Sequence, residues 1–202
     1  EGYKKIHIAV LDYVNHMSYL CQTDCLNPAD SIYIKDITGD GKDDIILSTT
    51  PNTVWNWNLI CLVQNTLVDV YRNWDSNNLE NRNYKVSVEK GSKLVIQSVD
   101  GTYKEEIALL ELGFEKKMVS DSDWHWAKIG FLSQTSENEN CFENANAKDG
   151  IKLQLNVVYD NLIIGALEVT LKCNEQHGNL YIAGQKIHVR DMSDKSKWEY
   201  LK

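Results

Sequence analysis

Several protein classes are excluded by what the chain lacks. With 2 prolines and 11 glycines in 202 residues it is not collagen-like, and 43% hydrophobic residues are too many for an intrinsically disordered segment. Five cysteines do not make a dense disulfide scaffold. No apolar run approaches the ~18 residues a membrane-crossing helix needs, so no membrane span is expected. Positive charge is scarce too. Set against 29 acidic residues, the 21 basic ones leave a net charge of −8. That is a poor start for holding phosphate backbones, and nucleic acid is not an expected partner. No GxSxG, HExxH or P-loop occurs, and the chain is read as non-enzymatic.

What is present suffices for one substantial core, and residues 1–202 are read as a single domain. Residues 3–20 are expected to form an N-terminal helix, because Ile6, Val10, Tyr13, Val14, Met17 and Leu20 recur at intervals of three and four. Pro28 and its polar neighbours end that pattern. From Ser31 the period changes to short β-branched and aromatic runs, at 32–34, 44–48, 59–64, 67–71, 84–88, 94–99 and 106–112. Further runs follow at 127–132, 151–159, 162–173, 179–182 and 185–190. Asn65, Asp100-Gly101, Asp160-Asn161 and Gly184 punctuate them as turn signals, while 133–149 reads as a polar surface loop. The expected fold is therefore mainly β behind a helix, an antiparallel meander with β regions at 31–112 and 127–202.

The cysteines are Cys21, Cys25, Cys61, Cys141 and Cys173. Cys21 and Cys25 share a CxxxC spacing compatible with a local disulfide in an exported protein. Zinc is not expected, for want of two further soft ligands at short spacing. Cys61, inside an apolar run, reads as a small buried hydrophobe. The first residue is Glu1 and not methionine, which fits a removed leader and an extracellular or cell-envelope location.

One loop carries chemistry. From Asp36 to Asp44 the sequence reads Asp-Ile-Thr-Gly-Asp-Gly-Lys-Asp-Asp. Asp36, Thr38, Asp40 and Asp44 put side-chain oxygens at positions one, three, five and nine. Gly41 permits the sharp turn at position six, and Lys42 offers its carbonyl at position seven. This is the order in which a calcium loop converges hard oxygens on one cation, so Ca2+ is the expected cofactor. An EF-hand is excluded, because position twelve is Leu47 where a bidentate Glu is required. A weaker echo follows. Residues 32–47 overlay 94–109 without gaps, with Ile34/Ile96, Gly39/Gly101, Lys42/Lys104, Ile45/Ile107 and Leu47/Leu109 identical. Five identities in sixteen fit either a true repeat or coincidence.

The stretch from Ile34 to Leu47 resembles an FG-GAP/VCBS-type repeat, the calcium-loop hairpin of integrin α-subunit propellers and many secreted bacterial proteins. It also resembles exported Firmicute proteins that carry one such loop after a short N-terminal helix. The resemblance implies propeller-blade-like hairpins with calcium held by Asp36, Thr38, Asp40, the Lys42 carbonyl and Asp44. In the second copy Ser98 and Thr102 replace the first and fifth ligands, which argues against a second calcium site. At ~60 residues per unit the chain holds about three units, short of the four to eight blades of a closed propeller.

Two other functions set the alternatives. Trp55, Trp57 and Trp74, interleaved with asparagines, would form an aromatic platform for an extracellular carbohydrate or protein partner if exposed on one face. A cell-wall hydrolase would need two converging acids or a Cys–His pair. Trp124-His125-Trp126 after Asp121 and Asp123 forms a second aromatic cluster, read as structural, as are the scattered His7, His16, His177 and His188.

Overall fold

A computed structural model describes residues 4–25, 31–49, 56–72, 83–89, 93–114, 127–130, 141–174 and 179–197. Thirteen strands account for nearly all the regular structure among them. They are β1 (Lys4–Asp12), β2 (Met17–Cys25), β3 (Ser31–Lys35), β4 (Asp44–Thr49), β5 (Asn56–Val63), β6 (Thr66–Arg72) and β7 (Tyr84–Glu89). The rest are β8 (Lys93–Ser98), β9 (Lys104–Ala108), β10 (Ala127–Gly130), β11 (Ile151–Tyr159), β12 (Leu162–Asn174) and β13 (Asn179–Val189). They form a β1-β2 hairpin, an antiparallel β3-β4-β5-β6 meander, a three-stranded β7-β8-β9 sheet and a four-stranded sheet in the order β10-β11-β12-β13. No helix among the described residues is long and apolar enough to cross a membrane.

The expected N-terminal helix is replaced by the β1-β2 hairpin. A helix and a strand both bring residues i and i+4 to one face, so Ile6 and Val10 satisfy either pattern. Ile8 decides between them. It lies on the buried face of a strand but off the apolar stripe of a helix. Here Ile6, Ile8, Val10, Tyr19 and Cys21 pack together against Ile45, Leu47, Ile60 and Leu67, while Tyr13, Val14 and Leu20 are 80%, 87% and 77% exposed. The turn is closed by Asp12, whose Oδ1 accepts from Val14 N and Asn15 N at 3.0 Å each. His16 supplies the positive φ of 53°.

The same hairpin separates the CxxxC pair. Cys21 and Cys25 both lie on β2, where four residues of extended chain put their Cα atoms ~13 Å apart, about twice the reach of a disulfide. The local bridge is therefore excluded.

Turn chemistry follows the sequence closely. Gln64-Asn65 and Asp160-Asn161 all take positive φ, as two-residue hairpins with right-handed strand twist require. At Gly184 the expected turn is absent, and the runs on either side form one continuous β13.

The chain divides into two compact units, described separately. The first comprises residues 1–77, 133–153 and 169–184; the second comprises 78–132, 154–168 and 185–202. In the first, Trp57 is fully buried, with its ring centroid 5.2 Å from that of Phe142. Tyr33 meets the same Phe142 at 5.4 Å. Cys141, Phe142 and Ala145 are all buried, so the polar segment 133–149 is a surface loop only in part: its described end plugs the core. Polar groups join β2 to the meander. Thr23 donates to Asp69, and Asn58 Nδ2 donates to the same Asp69 Oδ2 at 3.0 Å. Because Thr23 and Asn58 are buried, this network fixes one packing of the hairpin on β5 and β6.

In the second unit Leu94, Ile96, Ile107 and Leu109 are buried, and Phe114 meets Tyr159 edge-on at 5.5 Å. Met192 N donates to Leu112 O at 2.7 Å and holds the later chain against the end of the β9 hairpin.

Candidate functional site

The Asp36–Asp44 loop joins β3 to β4, the first two strands of the meander. The last strand pair is Lys35↔Asp44, so eight residues, 36–43, form the connection. Two glycines carry its curvature: Gly39 and Gly41 have φ of 85° and 79°, where a side chain would be strained.

The acidic side chains organise the loop backbone. Asp36 Oδ1 accepts from Gly39 N at 2.6 Å, and its Oδ2 from Gly41 N at 3.0 Å. Asp40 Oδ1 accepts from Lys42 N at 2.9 Å. Asp44 Oδ2 accepts from Ile37 N at 2.8 Å and Thr38 N at 2.9 Å. Asp44 is only 3% exposed. Burial pushes its carboxyl above the usual range, opposed by the two amides, the Cys61 thiol and Thr38. Asp36 and Asp40 stand at the solvent side, and Asp43 is exposed as expected for a non-ligand.

The donor set fits a hard cation. Three carboxylates, a hydroxyl and a backbone carbonyl are all oxygen, and each carboxylate oxygen that accepts one amide retains a second lone pair. The Thr38 hydroxyl is shut off from solvent inside the loop, on the side of the Asp44 carboxylate. Among the described residues no three His, Cys, Asp or Glu side chains already form a metal cluster.

Behind the loop lies a feature that spacing could not reveal. The Cys61 thiol on β5 faces both the Asp44 carboxylate and Cys173 on β12. The hydrogen bond with Cys173 is the main reason the Cys61 thiol is pushed far up, and the same bond holds the Cys173 thiol down. The two cysteines are 112 positions apart in the chain (173 less 61), and only the fold pairs them.

The second glycine-bearing loop, in the second unit, is closed on itself. Asp100 Oδ1 accepts from Ser98 Oγ at 2.6 Å, Thr102 Oγ1 at 2.8 Å and Thr102 N at 3.0 Å. Glu106 is held by Lys93 at 3.0 Å and Lys104 at 2.7 Å, which bring its carboxyl down to about 2.

Of the tryptophan platform, Trp57 is a core residue with no exposed ring face for a ligand. Trp55, Trp74 and the 121–126 cluster lie outside the described residues. His7, His16 and His188 are exposed. No protein-family model, curated protein or solved structure matches the chain.

Proposed function

We propose that this is a non-enzymatic, calcium-stabilised β domain of the extracellular space or cell envelope, with Asp36, Thr38, Asp40, the Lys42 carbonyl and Asp44 as ligands. The observation that carries the reading is the loop itself: alternate oxygen side chains on a glycine-turned backbone, with the Asp44 carboxylate buried at its end. The FG-GAP-like order of these residues and the blade-like β3-β6 meander support it. Calcium would supply charge neutralisation to Asp44, whose burial disfavours the anion, and would lock β3 to β4. Binding only the folded chain, it adds stability by mass action. At the ~10⁻⁴ to 10⁻³ M affinity of extracellular modules, 5 mM calcium contributes about 1–2 kcal/mol.

Calorimetric titration of the chelator-treated protein tests the reading. One site of that affinity, with a raised melting temperature, is expected. No heat of binding and no thermal shift at 10 mM calcium would contradict it.

A further inference from the structure

We propose that the open edge of β3 is a self-association surface, at which two copies of this chain pair β3 against β3 in antiparallel fashion. β3 is the outer strand of the β3-β4-β5-β6 meander, and among the described residues only β4 pairs with it. Its outward N–H and C=O groups are therefore a template for one more strand. Ile32 and Ile34 lie on one face of β3 and are each 62% exposed. Their partners on β4, Leu47 and Ile45, are buried, with Ile6, Ile8 and Val10 of the β1-β2 hairpin packed against their cluster. The apolar face of the meander thus runs on to β3, where the two-stranded hairpin no longer covers it.

The devices that normally guard an edge strand are missing here. Ser31 to Lys35 has no proline and no bulge, and its one charge is turned to its own chain, where Lys35 Nζ donates to the Glu143 carbonyl. A two-fold axis at Tyr33 sets Ile32 opposite Ile34 of the partner copy, and Ile34 opposite Ile32 of the partner copy, on one continuous face. Four isoleucines that are exposed in the single chains then cover one another. The match is self-complementary, as a two-fold interface between identical chains requires. It also closes on itself, because the far edge of the meander, β6, is tied to β2 through Asp69 and Thr23. Tyr13 and Val14 are more exposed than Ile32 and Ile34, but they belong to a turn and offer no strand edge. Five residues of strand bury well under the ~1,200 Å² at which standard interfaces begin, so the dimer is weak and concentration-dependent.

This goes beyond the calcium reading and is tested in chelator, on the full chain. Sedimentation equilibrium from about 10 μM to about 1 mM should show the average mass climbing from one chain toward two. Ile32→Lys with Ile34→Lys sets like charges opposite one another and should keep the protein monomeric across that range. Ile32→Lys with Ile34→Glu sets opposite charges in the same register and should restore the rise at low salt. Both positions are exposed, so the variants should melt close to wild type. A wild type that stays monomeric throughout, assembly beyond two chains, or a dimer that survives Ile32→Lys with Ile34→Lys would overturn the proposal. So would loss of the dimer in Val14→Lys, which leaves β3 untouched. Failure of the Lys/Glu variant to associate would overturn the register centred on Tyr33.

Discussion

The β3-β4 and β8-β9 hairpins start from similar sequence and reach different loops. Apolar positions match well: Ile45 and Ile107 on β4 and β9, and Leu47 on β4 and Leu109 just past β9, are buried in their respective units. The loops do not match. The last pair of the second hairpin is Gln97↔Lys104, leaving six residues where the first has eight, and Ser98 N bonds Tyr103 O to narrow it further. Ile34 pairs with Ile45, whereas its counterpart Ile96 pairs with Glu105, a slip of two positions. Ligand positions account for the slip. Ser98 and Thr102 fold onto Asp100 Oδ1, while Asp36 spreads over Gly39 and Gly41 with both of its oxygens. Gly101, with φ of 74°, still makes the turn. Hydroxyls at the places of Asp36 and Asp40 thus accompany a shorter, tighter turn.

The comparison is strongest where the hairpins agree. Leu47→Ala and Leu109→Ala should each cost about 2–5 kcal/mol in urea unfolding, because each empties a buried site. A loss under about 1 kcal/mol at either position would show that the two hairpins do not play equivalent roles.

A smaller effect separates the loops. Asp36→Ala removes the bonds to the Gly39 and Gly41 amides, which water then solvates, and should cost about 1 kcal/mol in chelator, with loss of calcium response. Ser98→Ala, its counterpart, should cost about 1 kcal/mol and leave the calcium response intact. Equal calcium dependence in both variants would erase the distinction.

Much of this architecture is legible in the residues, for identifiable reasons. Asn-rich turns and β-branched runs mark β3 through β12, because turn chemistry and period-two burial are local properties. The N-terminus misleads because Ile6 and Val10 satisfy both periods and only Ile8 separates them. Phe142 is hidden by polar neighbours, and its partners Trp57 and Tyr33 lie far along the chain. The acidic loop is visible because its oxygen-bearing residues alternate within nine positions of the chain. The Cys61–Cys173 pair is not, since only tertiary packing brings it together.

The smallest expected effect lies on the second hairpin. Its lysines hold the Glu106 carboxyl at about 2 against an ordinary 4.5, so their contribution is present above about 4.5 and fades as pH falls toward 2. Glu106 is on the surface, so the effect should be slight. Stabilities of wild type and Glu106→Gln should differ a little at pH 6 and converge near pH 2; a difference that grows with acid would reverse the assignment.

The central claim is that the first loop, and not the second, holds calcium, and Asp44→Asn tests it most directly. Asparagine can still accept from Ile37 N and Thr38 N but carries no charge to desolvate. In chelator the melting temperature should be unchanged or slightly higher. Addition of 5 mM calcium should then shift wild type by several degrees and Asp44→Asn not at all. An equal calcium shift in both proteins would contradict the account.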